Sequence, residues 1–209
     1  MDFPAGNILY LFLAALVGYL LGSIPVGYLM GRAWGVDVRQ YGSGRTGGSN
    51  VLRATGKMIP FLLTGAGDIA KGVIAVWMGR YVFGSEAAAA LAGTAAVAGH
   101  NWPVFLGFKG GAGGATSAAA LCVLSPLAGL IVTPIALSVF IFGRVASLAT
   151  LTVGVGSAVT LLALSLFEPL LHPWSHLLFG VPVAVIIVLA LLPNLKRLKT
   201  GTERRMTNW

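Results

Sequence analysis

Long charge-free stretches alternate along the chain with short polar segments rich in glycine and arginine. Residues 8–30, 110–143 and 145–167 contain no Asp, Glu, Lys or Arg, and a membrane-spanning helix needs roughly 20 apolar residues. The pattern predicts spans over about residues 8–31, 58–79, 86–99, 145–167 and 177–192. The stretch 115–142 admits two readings. As one helix it gives six spans and puts Arg144 outside. Broken at Ser125-Pro126, where proline interrupts a helix, it gives two short helices and seven spans. The broken reading is preferred because it returns Arg144 to the side of the other basic residues. The expected fold class is an all-α integral membrane protein, a single transmembrane domain over residues 1–209. Its N-terminus is expected outside and its C-terminus in the cytoplasm.

Composition strengthens this picture. Hydrophobic residues make up 56 % of the 209 and charged residues 10 %, against about 25 % charged in soluble domains. The first apolar stretch lacks a basic leader and a small-residue cleavage site, so it reads as a retained helix. Cys122, the one cysteine, lies in an apolar run and is expected to be a small buried side chain. In 166–176, Trp174 and two histidines suit an outer headgroup layer. His172 and His176 have an i, i+4 spacing, but Pro173 interrupts the helix that would align them. Neither a metal nor another cofactor is expected.

The net charge of +8 is informative through its placement. Arg32, Arg39, Arg45, Arg53 and Lys57 fall in one segment, and Lys196, Arg197, Lys199, Arg204 and Arg205 in the tail. With Lys109 and Arg144 these are twelve of the fourteen basic residues. Positive loops stay cytoplasmic, so all four segments are expected on that face of the membrane. Topology accounts for the charge without nucleic acid as a partner, and no obligate protein partner is indicated. The tail can also touch anionic lipid headgroups.

Candidate chemistry collects in the same polar segments. "GSGRTGGSNVLR" (42–53) sets Gly42 and Gly44 among Ser43, Thr46, Ser49 and Asn50. Glycines let successive N–H groups face one anion, and Arg53 can fork onto a phosphate, with Arg45 a further cation in the loop. A flexible loop whose arginines only fix topology competes with that reading. A second loop, "GHNWPVFLGFKGGAGGAT" (99–116), brings His100, Lys109, Gly110, Gly111, Gly113 and Thr116. Two such loops on one face favour a site for phosphorylated ligands. Asp68 and Lys71 form an i, i+3 pair within a span, either neutralising each other or lining a cavity. Ser147 and Thr150 stand at one helix start, where free N–H groups favour anions. Asn194 and Arg197 lie one turn apart, just past the last span.

These motifs together resemble the bacterial acyl-phosphate:glycerol-3-phosphate acyltransferases over nearly the whole chain. The family pattern "GSIP-GY" is matched at 22–28, "GSGN-GATN--R" at 42–53, and "D--KG" at Asp68, Lys71 and Gly72. "GH--P-F--FKGGKG-AT" is matched at 99–116, "R-VSL-S" in part at 144–150, and "N--RL--G-E" at Asn194, Arg197, Leu198, Gly201 and Glu203. The resemblance implies a seven-helix membrane enzyme that moves an acyl chain from acyl phosphate to the 1-hydroxyl of glycerol 3-phosphate. Lysophosphatidic acid and phosphate would be the products, with no acyl-enzyme intermediate. It implies that Ser43, Arg53, Asn194 and Thr150 contact phosphates or reacting groups, and that His100 positions the acceptor or acts as a base. Three positions depart from the pattern: Arg45 stands for the family's Asn, Ala112 for the second lysine of "FKGGKG", and Leu191 for a common histidine. Arg45 is expected to supply the cation that Ala112 removes. The alternatives are a diverged member using another donor or acceptor, and a non-catalytic binder of phosphate esters or lipid.

Overall fold

The computed structural model describes residues 7–206 and, among them, contains helices and no strand. The first apolar stretch forms α1 (Ile8–Ser23) and α2 (Val26–Ala33). This corrects the expectation of one continuous helix. Pro25 has no N–H to donate and disfavours helical backbone before it, so the chain is extended at Ile24. Lys71 Nζ reaches the Ile24 carbonyl at 3.4 Å. The short α3 (Gly48–Thr55) precedes α4 (Met58–Tyr81) and α5 (Glu86–Asn101). The break at Ser125-Pro126 is present, dividing α6 (Gly114–Leu124) from α7 (Pro126–Gly143). Then come α8 (Ala146–Phe167) and α9 (Leu177–Lys199). The last of these runs two turns beyond the expected end, through Pro193, so Asn194 and Arg197 lie on the helix itself. Proline is tolerated there because it removes only one ladder bond, which neighbours can replace. At Pro182 in the same helix the freed Leu178 carbonyl accepts a 2.7 Å bond from Thr94 Oγ1.

Among the described residues, five helical stretches are long and apolar enough to cross a membrane: Ile8–Ala33, Met58–Tyr81, Pro126–Gly143, Ala146–Phe167 and Trp174–Lys199. The protein is a multi-pass membrane protein. Large apolar side chains such as Phe12, Ile59, Leu130, Val159 and Leu189 face outward, where lipid tails are their natural solvent. Cys122 is among the exposed residues, which corrects the expectation of burial; its Sγ lies 3.4 Å from Thr133 Oγ1.

Inside, Val76, Val97, Leu121, Leu161, Phe179, Val183 and Ile187 form one core, while Ala14, Ala75, Ala88, Ala92 and Ala96 form another. Small residues matter because helices in lipid gain little from hydrophobicity and associate through close backbone packing. At Gly22 a Cβ would strike the Ala96 carbonyl, and at Gly99 the Tyr19 carbonyl. The α1 and α5 backbones are therefore in direct contact.

The chain order places the two ends of the bundle in alternation, so residues 34–57, 102–113, 144–145 and 200–206 gather at one end. The opposite end closes the α6–α7 break. Arg80 donates to the Val123 carbonyl at 2.8 Å and the Leu124 carbonyl at 2.9 Å, carbonyls left over where α6 stops. Its Nε and the Nη2 that also serves Leu124 bind Glu86 at 2.6 and 2.7 Å, and Glu86 meets His176 Nε2 at 3.0 Å. His172 Nδ1 lies 3.3 Å from Ser125 Oγ. Both histidines thus serve the helix junction.

The packing of α1 on α5 carries a direct test. Gly22→Val should cost about 3 kcal/mol or more by forcing those backbones apart. Gly65→Ala, where the added methyl meets no atom, should gain about 0.5–1 kcal/mol from helix propensity. Thermal unfolding of the detergent-solubilised variants measures both.

Candidate active site

Asn50 builds the first glycine loop. Its buried carboxamide donates to the carbonyls of Val38 and Arg45, both at 2.8 Å, and accepts from Ser43 N at 3.0 Å. The side chain is thus spent on shaping the loop. Gly42 and Gly44 turn the chain at φ +52° and +71°, and Gly44 N binds the Tyr41 carbonyl at 2.8 Å. Ser43, Arg45, Ser49 and Arg53 emerge into a cavity of about 370 Å³.

The second loop is fastened to the first and to the end of α5. Gly111 N donates to the His100 carbonyl at 2.9 Å, Gly110 N to the Asn101 carbonyl at 3.2 Å, and Thr46 N to the Gly110 carbonyl at 3.3 Å. A Cβ on Gly111 would lie on His100 Nε2, so glycine there lets the imidazole stand against the loop. His100 Nδ1 is 3.3 Å from Asp68 Oδ1, which also pairs with Lys71 Nζ at 2.9 Å. Asp68 and His100 line the cavity, whereas Lys71 is buried behind them. The Asp68–Lys71 pair is therefore neutralised, and its carboxylate still reaches the cavity wall.

The third wall comes from helix ends and the tail. Gly113, Gly114 and Ala115 open α6, and Ser147 and Thr150 lie in the first turns of α8; all five line the cavity. Asn194 on α9 joins them. The tail folds back beneath, with Met206 N bound to the Arg144 carbonyl at 2.8 Å. Its Glu203 collects Asn194 Nδ2 at 2.7 Å, Ser147 Oγ at 3.0 Å and Arg197 Nε at 2.9 Å. Burial pushes the Glu203 carboxyl up, but these three donors hold it below its ordinary value.

Of the expected site residues, Ser43, Arg45, Ser49, Asn50, Arg53, His100, Gly113, Ser147, Thr150 and Asn194 share this one cavity. Gly42, Gly44, Gly110 and Gly111 shape the two loops behind it. Lys109 is exposed, Thr116 is buried within the bundle and Arg197 is turned onto Glu203. Sequence reasoning assigned no site role to Glu203 or Arg204, the latter also lining the cavity. The available signal was a lone carboxylate within a tail that is otherwise basic. It also left unassigned the apolar wall of Phe61, Ile69, Ala136, Leu137 and Val153.

The cavity is electropositive. Burial first, then repulsion from Arg197, draws Arg45 below its ordinary pKa despite the attraction of Glu203. Arg53 is lowered by burial and by Arg204. Such a pocket favours an anion, and its apolar wall suits an acyl chain.

Fold and cavity together define a multi-pass helical membrane protein with a cationic pocket at one end of its bundle. The sequence model described as "Glycerol-3-phosphate acyltransferase" matches residues 12–201. The glycerol-3-phosphate acyltransferase of Symbiobacterium thermophilum is 44 % identical over 193 residues, covering 92 % of each chain. That of Thermus thermophilus is 43 % identical over 197 residues, covering 91 % of this chain and 92 % of its own. Among solved structures, PlsY (YgiH), an integral membrane glycerol 3-phosphate acyltransferase, superposes in its glycerol 3-phosphate form with a TM-score of 0.82 at 34 % identity. That match covers 94 % of this chain and 96 % of the other. Its lysophosphatidic acid form gives 0.79 at 33 %, covering 95 % and 96 %. The chain belongs to the glycerol-3-phosphate acyltransferase family and is an acyltransferase.

Glu203→Ala should lower stability by roughly 3 kcal/mol, because it leaves three donors without their acceptor. The lowered carboxyl pKa fixes the sign with pH. The network's contribution is present above 4.5, the ordinary value, and is lost as pH falls from there through the folded value. Thermal melts of wild type and variant should therefore differ at neutral pH and converge in acid.

Proposed function

We propose that this protein transfers a fatty acyl group from acyl phosphate to the 1-hydroxyl of glycerol 3-phosphate. One observation carries the reading: a single cavity joins the cations and hydroxyls of the first glycine loop, His100 and the glycines of the second, and the hydroxyls of α8 to an apolar wall. Both substrates carry a phosphate, and only the donor carries a long chain. The acyl chain lies along Phe61, Ile69, Leu137 and Val153, while the phosphates face Ser43, Ser49, Arg45, Arg53, Thr150 and the α6 N-terminus. The hydroxyl oxygen attacks the acyl carbonyl, the carbon–oxygen bond to phosphate breaks, and inorganic phosphate leaves. His100, with Nδ1 towards Asp68, presents Nε2 to the acceptor and takes its proton, a role worth roughly 10²–10⁴ in rate. Acyl phosphate is a mixed anhydride with a good leaving group, so proximity and charge neutralisation supply the rest without an enzyme nucleophile. Ser147, Asn194 and Arg197 complete the floor through Glu203.

On this reading residues 1–209 form one domain whose seven spans are α1–α2, α4, α5, α6, α7, α8 and α9. The basic end faces the cytoplasm of a bacterial inner membrane, following the positive-inside rule. The N-terminus lies outside and the tail inside. Arg45 provides the cavity charge that Ala112, in the same wall system, does not.

Purified protein supplied with acyl phosphate should release inorganic phosphate only when glycerol 3-phosphate is added, with lysophosphatidic acid formed in equal amount. Release that ignores the acceptor would mean hydrolysis and sink the reading. In the same assay Arg45→Asn should abolish transfer and a second change, Ala112→Lys, should restore it. Undiminished transfer by Arg45→Asn would show that its charge is not used.

A further inference from the structure

α6 joins the two ends of the bundle. Its first residues, Gly114 and Ala115, line the cavity together with Gly113 before them. Its last, Val123 and Leu124, give their carbonyls to Arg80 of α4 at 2.8 and 2.9 Å. The rise from Gly114 to Leu124 is about 15 Å. Along that length α6 offers little for its neighbours to grip. Residues 114–120 read Gly-Ala-Thr-Ser-Ala-Ala-Ala, with no side chain larger than threonine. Interlocking side chains normally fix one helix against another, whereas here the backbones themselves approach. A Cβ on Gly72 of α4 would strike the Thr116 carbonyl, and one on Gly129 of α7 would strike Cys122. Smooth contacts of this kind oppose separation but oppose sliding and turning only weakly. The large buried side chains, Leu121 and Leu124, come near the end of α6, towards Arg80.

We infer that Arg80 is a positioning residue for acyl transfer: from the end of the bundle opposite the cavity it holds α6 along its axis and in rotation, and so sets where Gly113, Gly114 and Ala115 stand in the cavity wall. The guanidinium suits this role because it is itself held. Glu86 at the start of α5 binds it at 2.6 and 2.7 Å, and His176 before α9 meets the same carboxylate at 3.0 Å. One side chain thereby ties the end of α6 to α4, to α5 and to the approach of α9. At the cavity the tolerance is small. A Cβ on Gly114 would press on Thr150 Oγ1, so a slight slide or turn of α6 changes its spacing from α8. The inference rests on the acyl transfer proposed above and adds to it a residue that touches neither substrate.

Rates and hydrogen exchange on the full chain in detergent test this together. Initial rates with acyl phosphate and glycerol 3-phosphate are taken well below each variant's unfolding midpoint and expressed per folded protein. Arg80→Gln should lower kcat about tenfold and change KM for either substrate by less than about threefold, because misplacement acts on the transition state and not on uptake. Arg80→Lys, which keeps a charged donor at the end of α6, should recover about a third of wild-type kcat. Backbone amides of residues 110–116 should exchange about tenfold faster in Arg80→Gln than in wild type, although the substitution lies at the other end of the helix. If Arg80→Gln does not fold, Glu86→Gln stands in, with a fall in kcat of about threefold. An unchanged kcat in Arg80→Gln, or in Glu86→Gln where that stands in, would overturn the inference. So would faster exchange confined to residues 120–128, the result that a purely local brace would give. The two readings fail separately. Faster exchange at 110–116 in a chain that transfers no acyl group would defeat the proposed reaction alone, and transfer at wild-type kcat by Arg80→Gln would defeat the positioning role alone.

Discussion

The backbone contact between α1 and α5 is the constraint on which the cavity depends. Gly22 and Gly99 let the two helices touch with no side chain between them, and the end of α5 is thereby fixed. From that end a chain of backbone bonds runs outward. The His100 and Asn101 carbonyls hold Gly111 and Gly110, and the Gly110 carbonyl holds Thr46 in the first loop. The glycine loops are thus extensions of a helix contact deep in the bundle. That placement sets the position of His100 and Arg45 together, which is what catalysis by orientation requires.

Charge distribution follows the same economy. Lipid offers no solvation to a charge, so Asp68 and Lys71, ionisable residues in the middle of α4, neutralise each other. The basic residues accumulate at one end, and Glu203 is the acidic residue that folds back among them. It satisfies three donors and leaves the arginines of the first loop unpaired with carboxylate. A cavity built this way holds positive charge in reserve for a ligand. At the far end the same need is met differently: Arg80 donates to the Val123 and Leu124 carbonyls that the break leaves open, so α6 can end after eleven residues.

Much of this was legible in the chain. Charge-free windows located the spans, Ser125-Pro126 located the hidden break, and the glycine motifs marked residues that do meet in one cavity. The failures have physical causes. Pro25 lies in an unbroken apolar run, where hydropathy has no signal for a change of direction. The last span was expected to end near residue 192, yet α9 continues through Pro193 to Lys199 because a helix in lipid keeps every remaining bond. The exposure of Cys122 depends on which face of α6 meets lipid, and a uniformly apolar helix does not encode that face. Asn50 and Arg197 were read as ligand contacts from their types. Only the fold reveals that one shapes its loop and the other binds Glu203.

With donor and acceptor held together in one cavity, as proposed, the acyl group passes directly between them. Initial rates with acyl phosphate and glycerol 3-phosphate varied against each other test it. Direct transfer predicts intersecting double-reciprocal lines and no acyl label retained on the protein when donor is supplied alone. Parallel lines with a labelled acyl-enzyme would contradict it.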